Sequence, residues 1–288
     1  MKLSFTCLFA SFVMAHVALS ASIALTSDPA DPRPLQNVAQ QLENQCGWRI
    51  TYEEGPISNK EDLQNNVPGF LKKSDPVSLS IATRKYLPFK FTFNEPASPY
   101  DRAAEIKTID ALLQDYKESD NLPYFAVRHS GNDYSHIVQV LTKDENGNII
   151  PFQPVLDTPI TFPKETRQLD TVVKLILRQV AQERNVGITE GTLPTMLFRQ
   201  VQVEVGANNE SARSVLIEAL DAAQLQRSAD TRVMWQLNYD VLSKYYYFNA
   251  HIIAGSFKRW PVTEAVPPVA QTPVPHPANA WFHKSAQQ

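Results

Sequence analysis

The sequence predicts an α+β protein made of two related small modules, each with two helices packed on a short mixed sheet. Two observations carry this prediction. Helical and strand periodicities alternate along the chain in an order that occurs twice. Short strings also recur at matching places: W-R-I-T-Y-E-E-G from Trp48 against V-G-I-T-E-G from Val186, and I-D-A-L-L from Ile109 against I-E-A-L-D from Ile217. Agreement in order between the pattern and the strings indicates an internal duplication.

The chain begins with the features of an export signal, which we place at residues 1–24. Lys2 precedes an apolar run from Leu8 to Leu19, and small residues offer cleavage sites after Ser20 or Ala24. The run is shorter than the roughly 20 apolar residues of a spanning helix. We therefore expect an exported protein, periplasmic or extracellular, with no stable membrane span after signal cleavage.

Composition argues against several function classes. One of the two cysteines lies in the leader, so only Cys46 remains and no intrachain disulfide can form. A formal net charge of -3 provides no basic surface for nucleic acid. The nine glycines form no nucleotide-binding motif, and His129, His136 and His251 lack metal-ligand spacing. We expect no cofactor and no metal.

The first module, residues 30–155, is predicted to contain helix, strand, insertion, strand, helix, strand and strand. Apolar spacing places its first helix between Leu35 and Gly47, a residue suited to a left-handed helix end. Residues 53–88 carry little periodicity, so we expect an insertion that is largely loop. The remaining elements are a strand at Trp48, Ile50 and Tyr52, a strand at Phe89, Phe91 and Phe93, a helix at Ile106 to Tyr116, and strands at Tyr124 to His129 and Ser135 to Leu141.

A proline-marked connector ending at Pro163 leads to the second module, residues 164–258. A helical stripe from Leu169 to Val180 begins it, and the V-G-I-T segment and the valines from Val201 to Val205 are its predicted strands. Asn208 or Asn209, followed by Glu210, has the side chains that favour a helix start. The helix beyond them is predicted from Val215, Leu216, Ala219, Leu220 and Ala223.

Two alternating strands close the second module and carry the candidate binding residues. The segment from Asp240 to Lys244 is short enough to join them as an antiparallel hairpin. Alternation predicts that Tyr246, Phe248, Ala250 and Ile252 face the preceding helix, and that Tyr245, Tyr247, Asn249 and His251 face away. If helices cover one side of the sheet alone, the second set forms an open face. Because tyrosine is enriched at interfaces, the candidate binding residues are Trp235, Tyr239, Tyr245, Tyr247 and His251.

The second module resembles the short N-terminal domain of secretins and TonB-dependent proteins. The resemblance rests on L-I-L-R-Q-V-A-Q-E-R-N-V-G-I-T, then V-Q-V-E-V-G-A-N-N-E-S-A-R-S-V-L-I-E-A-L-D-A-A, then M-W-Q-L-N-Y-D, and extends more loosely over Leu35 to Leu141. It implies a small periplasmic α/β module that binds other proteins or packs into oligomeric rings. No catalytic signature belongs to this pattern.

An enzymatic alternative remains open, a secreted cysteine hydrolase that uses Cys46, His136 and Asp157. Such an enzyme needs a thiolate within hydrogen-bond reach of a histidine that a third group orients. H-I-V-Q-V from His136, leading to V-L-D at Asp157, faintly resembles the histidine and acid segments of papain-like peptidases. Cys46, however, lies at the end of a predicted helix, whereas those enzymes place the cysteine at a helix start.

The tail, residues 261–288, is too rich in proline to fold and is predicted to be extended and disordered. Trp281 and Phe282 within it could anchor to a partner. From these features together we expect a non-enzymatic exported protein that binds a protein or cell-envelope partner.

Overall fold

The computed structural model describes residues 22–29, 31–66, 81–96, 98, 101–119, 121–122, 124–131, 133–227 and 232–253. The main part of the predicted leader, the middle of the predicted insertion and the tail from residue 254 lie outside these residues. Within them the chain is a mixed α/β protein, in agreement with the predicted α+β class. No helix in these ranges is long and apolar enough to span a bilayer.

The N-terminal half, residues 22–151, contains two long helices and nine strands among the described residues. In chain order they are β1 (Ser22–Thr26), α1 (Pro34–Cys46), β2 (Arg49–Glu53), β3 (Leu63–Asn66), β4 (Ile81–Arg84), β5 (Lys90–Asn94), α2 (Arg102–Glu118), β6 (Phe125–His129), β7 (Tyr134–Gln139), β8 (Leu141–Lys143) and β9 (Ile149–Pro151). As predicted, α1 ends at Gly47, whose φ of 71° is left-handed.

The C-terminal half, residues 155–253, begins with a short 3-10 turn at Val155–Asp157. Its elements are β10 (Pro159–Gln168), α3 (Leu169–Arg184), β11 (Gly187–Glu190), α4 (Thr195–Gln200), β12 (Gln202–Ser211), α5 (Ala212–Arg227), β13 (Arg232–Asp240) and β14 (Tyr245–Ile253). The helix α3 ends at Asn185, which adopts a left-handed φ of 51°. The predicted hairpin between Asp240 and Lys244 is present as the turn between β13 and β14.

A six-stranded sheet runs through the molecule in the order β11-β14-β13-β2-β7-β6. At one end β2 is parallel to β7, and β6 is antiparallel to β7. At the other end β11 is parallel to β14, and β13 is antiparallel to β14. The parallel pairing of β13 with β2 joins the two sets of three strands. The outer edges of the sheet are therefore β6 and β11.

Helices cover both faces of this sheet. In the register between β13 and β2, Leu237 lies beside Glu53 and Gln236 lies beside Tyr52. Tyr52 belongs to the apolar core formed with α1 and α2, and Leu237 belongs to the core formed with α3 and α5. Neighbouring residues of one strand point to opposite faces, so the N-terminal helices lie on one face and α3 and α5 lie on the other.

Two-stranded sheets accompany the helices in each half. β1 pairs antiparallel with β5, and β10 pairs antiparallel with β12. The alternating phenylalanines of β5 are buried, as their spacing predicts. Two further hairpins, β3 with β4 and β8 with β9, lie where no strands were predicted. The described parts of the insertion, residues 53–66 and 81–88, thus contain a pair of strands that its composition did not indicate.

Two predicted boundaries are wrong. The helix α5 begins after Ser211, whose Oγ accepts the Ser214 N–H at 3.2 Å, and not after Asn208 or Asn209. The asparagines belong to β12, where pairing with β10 continues to Ser211. The supposed connector contributes Ile160 and Phe162 to the C-terminal core, because β10 begins at Pro159.

The start of the first module also differs from its predicted position. We placed the leader at residues 1–24 and the module from residue 30. Residues Ser22–Thr26 form β1, and Leu25 is 1% exposed in the N-terminal core. A cleavage after Ala24 would divide this strand, whereas a cleavage after Ser20 would leave it whole.

Candidate binding site

The last strand, β14, presents the predicted tyrosine face, which we define as the side formed by Tyr245, Tyr247, Asn249 and His251. The residues between them, Tyr246, Phe248 and Ala250, are at most 3% exposed in the C-terminal core. The burial pattern changes at residue 252, because Ile252 is exposed and Ile253 is buried. The register still places Ile252 beside Val233 of the C-terminal core, on the face that alternation predicts.

The five candidate binding residues lie on two faces. Trp235 is fully buried beside Phe248, with ring centroids 6.2 Å apart, and cannot contact a partner. Tyr239 lies on the same side, edge to face with Tyr246 at 5.1 Å. Of the five, the structure brings together Tyr245, Tyr247 and His251 alone. Period-two alternation places the odd-numbered residues of β14 on one face of the sheet and the odd-numbered residues of β13 on the other.

The N-terminal helix α1 covers one side of the tyrosine face. His251 Nε2 lies 2.7 Å from a carboxylate oxygen of Glu43, which is buried on α1. Gln36 on the same helix bonds Gln236, which pairs with Asn249 in the sheet. The condition for a fully open face, helices on one side alone, is therefore not met near His251.

The uncovered part of the tyrosine face adjoins β11. Tyr245 is 47% exposed, and its ring lies over Gly187, where an added Cβ would come within 2.6 Å of it. Thr189, beside Tyr247 in the register, is exposed. This is the one place in the described residues where the predicted aromatic face reaches an edge of the central sheet.

The outer edge of β11 has backbone groups that no described strand pairs. Gly191 donates its N–H inward to the carbonyl of Phe248 at 2.8 Å. Since successive residues of a strand point their backbone groups to opposite sides, the N–H and carbonyl of Ile188 and Glu190 point outward. Such an edge can accept a strand from another chain.

A polar cleft of about 640 Å³ lies elsewhere, between β10 and the C-terminal end of α3. Its polar groups are largely paired within the chain. The Gln179 amide accepts the N–H of Thr161 at 3.1 Å and donates to its carbonyl at 2.9 Å. Arg184 donates to the side chain and carbonyl of Gln153. No aromatic ring is among the residues that line the cleft.

The residues of the hydrolase alternative do not form a catalytic group. Cys46 is 7% exposed in the core under α1, together with Ile137. His136 precedes Ile137 on β7 and therefore points to the opposite face, where its Nδ1 lies 2.8 Å from the Thr51 hydroxyl. Asp157 pairs with Arg128 and Arg213. The sheet lies between the thiol and the imidazole.

The environment of His136 also disfavours a general base. Burial, reinforced by the nearby Arg213 guanidinium, lowers the pKa of His136 to about 3. A general base works best with a pKa near the working pH. His136 is accordingly a neutral, packed side chain stacked on Tyr134 at 5.9 Å.

A serine, a histidine and an aspartate that the sequence did not indicate meet at the other end of the sheet. Ser135 Oγ lies 3.0 Å from His129 Nδ1, and His129 Nε2 lies 3.2 Å from Asp110. Ser135 is fully buried and donates its hydroxyl to Glu105 at 3.0 Å. No substrate carbonyl can reach that hydroxyl, so the cluster stabilises the packing of α2 on the sheet.

Two adjacent carboxylates at the end of β2 tie the halves together. Glu53 is fully buried and pairs with Arg213 of α5. Glu54 accepts hydrogen bonds from Arg33 and from the N–H of Tyr239, each at 3.0 Å. Burial pushes the pKa of Glu54 upward, but the Arg33 and Arg84 guanidinium groups outweigh it and hold the pKa below its ordinary value. Both residues fall at the start of the segment that was predicted to be largely loop, so no role was predicted for them.

The described residues contain no group of three or more histidine, cysteine or carboxylate side chains that could hold a metal ion. Comparisons with protein-family models, curated proteins and solved structures find no match for the chain.

Proposed function

We propose that the chain is an exported, non-enzymatic protein that binds a partner protein by accepting its strand on β11. The exposed edge of β11 beside Tyr245 is the observation that carries this proposal. Main-chain hydrogen bonds along an added strand give affinity, and neighbouring side chains select the partner. Tyr245 and Tyr247 provide the aromatic contact, since large amphipathic rings are enriched at interfaces.

We further propose that the two halves are related modules derived from one unit. This proposal is supported by their equal strand orders, β2-β7-β6 and β11-β14-β13, and by the two-stranded sheet beside each. The left-handed helix ends at Gly47 and Asn185 fall at matching places. These features also favour the resemblance to the short N-terminal domain of secretins and TonB-dependent proteins, which implies protein binding.

Export remains part of the proposal, with cleavage of the leader after Ser20. The favoured site follows from β1, because removal of residues 21–24 would take three residues from its pairing with β5. The hydrolase alternative gains no support, since the sheet separates Cys46 from His136.

Partner capture by an edge-blocked variant tests this function. In Glu190→Pro the outward N–H at position 190 is lost, while the inward bonds of its neighbours stay. The tagged, exported variant should recover markedly less of any partner than the wild type recovers under the same conditions. Ile149→Ser is the matched control, because Ile149 is 58% exposed on the distant β8–β9 hairpin and should capture as the wild type does.

The capture experiment has a clear contrary result. If Glu190→Pro melts at the wild-type temperature and recovers the same proteins in the same amounts, the β11 edge is not the binding site. If both variants lose capture equally, the binding is a non-specific surface effect.

A further inference from the structure

The two free edges of the sheet correspond to the two strands that are joined at its centre. β13 and β6 are the first strands of the antiparallel hairpin that each half contributes to the six-stranded sheet, and β2 and β11 are the strands that follow the first helices. Inside the molecule β13 pairs with β2 in parallel. The free edges, β6 and β11, could therefore repeat this junction between two molecules.

Register gives the correspondence residue by residue. The parallel ladder of the N-terminal half starts with Arg49 beside Tyr134, and that of the C-terminal half starts with Gly187 beside Tyr245. Tyr134 thus corresponds to Tyr245. Continuing along the ladders, Tyr52 lies beside Ile137 and Glu190 lies beside Phe248.

The two corresponding tyrosines differ in exposure: within the part of the chain that the structure describes, a neighbouring helix covers Tyr134 but not Tyr245. Tyr134 is 1% exposed, and its hydroxyl donates to Asp221 of α5 at 2.9 Å across the central junction. Tyr245 is 47% exposed, and no helix among the described residues covers it in the same way. At a repeated junction, α2 of a second molecule would take the place over Tyr245 that α5 takes over Tyr134.

Backbone groups on the two free edges match those of the central junction. There, Glu54 donates its N–H to the carbonyl of Leu237 at 2.9 Å. Leu237 pairs with Phe248, and Val127 pairs with Ile137, so Val127 is the residue of β6 that corresponds to Leu237. Ser130 donates its N–H to the carbonyl of Tyr134 at 2.9 Å, and Tyr124 accepts the N–H of Val140 at 2.8 Å, so even-numbered residues along β6 point their backbone groups inward. The backbone groups of Val127 therefore point outward.

Charge on the two edges is complementary. The side chain of Arg128 on β6 is 45% exposed and pairs on one side with Asp157, while β11 ends at Glu190. One carboxylate oxygen of Glu190 is buried without a hydrogen-bond partner, and the other lies 3.6 Å from Lys174. A guanidinium brought alongside β11 would meet an acidic group that is incompletely paired.

From these correspondences we infer that the partner of the β11 edge is a second copy of this chain, whose β6 adds in parallel beside β11. This inference rests on the proposed function and names the partner of the same site. The interface is head to tail, so each added molecule leaves another β6 and another β11 free, and association is not limited to two chains. In the single chain the N–H of Thr192 donates to the Asn249 side chain at 2.8 Å. In the assembly this N–H donates instead to the carbonyl of Val127 in the second copy.

Two edge-blocked variants test the inference. Val127→Pro removes an outward N–H from β6 and leaves β11 usable, while Glu190→Pro does the reverse. We expect the wild type to form assemblies of increasing mass as its concentration rises. Each variant alone should keep the mass of a single chain, and a 1:1 mixture should form a two-chain complex by light scattering.

A disulfide experiment covers the case in which a proline variant fails to fold. Gln236 and Tyr52 lie side by side at the central junction. Ala126 corresponds to Gln236, and Glu190 corresponds to Tyr52. Ala126→Cys mixed with Glu190→Cys should give a disulfide-linked pair under mild oxidation. Thr189→Cys is the matched control, because its side chain points to the other face, and should cross-link with Ala126→Cys far less.

Several results would overturn the inference. They are a single-chain mass for the wild type at every soluble concentration, association of either proline variant alone, or equal cross-linking by both cysteine pairs. If the wild type stays a single chain while Glu190→Pro still loses capture of a different protein, self-association fails and the proposed function survives. If capture is unchanged as well, both fail.

Discussion

At the scale of single residues, His136 has a strongly lowered pKa and lies between the sheet and α5 as a neutral imidazole. Its folded-state pKa of about 3 lies below the ordinary value of 6.5, first because it is buried and second because Arg213 is near. A depressed pKa means that the unfolded chain binds the proton more readily. The stability that His136 contributes is therefore present above pH 6.5 and is lost as the pH falls toward 3.

We expect His136→Gln to lose less stability on acidification than the wild type. Glutamine keeps a polar atom for the Thr51 hydroxyl but takes up no proton. Between pH 7 and pH 4 the wild type should lose about 3 kcal/mol of unfolding free energy that the variant keeps. Urea unfolding at both pH values measures the difference, and equal losses in the two proteins would show that His136 does not titrate on unfolding.

Glu43 illustrates a residue whose role no sequence pattern revealed. Burial raises the pKa of Glu43, and the His251 imidazole opposes that rise. The periodicity of α1 marks its apolar residues, but Glu43 is 2% exposed, because β14 of the C-terminal half packs on it. A contact across 208 residues leaves no local trace in the sequence.

At the scale of secondary structure, alternation along β14 makes a testable distinction between neighbours. Phe248 is fully buried in the C-terminal core, whereas Tyr247 is half-buried on the tyrosine face. Phe248→Ala should cost about 3 to 5 kcal/mol of unfolding free energy, because it leaves a cavity. Tyr247→Ala should cost much less, and thermal unfolding of both variants checks this. Equal melting temperatures would mean that Tyr247 is as tightly packed as Phe248.

Elements with strong periodicity could be predicted from the sequence, and elements fixed by distant pairing could not. The apolar stripes of α1, α2, α3 and α5 are buried at the predicted positions, apart from Ile106 of α2, which is half-buried. β10 was taken for a connector because its prolines and exposed threonines hide Ile160 and Phe162. The cap of α5 was misplaced because Asn208 and Asn209 favour helix starts, whereas pairing with β10 holds them in a strand.

At the scale of the whole molecule, the two halves are interlocked. The N-terminal helix α1 reaches across the sheet junction to His251, and α5 reaches back to Glu53 and Arg49 through Arg213 and Asp221. The sequence predicted two modules but not how they join. Besides the pairing of β13 with β2, charged pairs separated by more than 150 residues join them, and periodicity carries no information about such pairs.

This arrangement also explains why the candidate binding site could be predicted only in part. Tyr245 and Tyr247 were identified from alternation, and both remain accessible. Trp235 and Tyr239 were included because aromatic residues cluster in the sequence, yet alternation places them on the other face. The closing pair of strands would by itself leave an edge that can accept a partner's strand, but β11 pairs with β14 and β2 pairs with β13, so the free edge lies on β11.

Site-specific photo-cross-linking from position 245 tests the central claim most directly. A photoreactive phenylalanine analogue replaces Tyr245 in the exported chain, and a second protein carries it at Ile149 as a control. We predict a discrete adduct from position 245 that is lost when Glu190→Pro is added and is not formed from position 149. Adducts that are the same from both positions, or that persist with the proline, would contradict binding at the β11 edge.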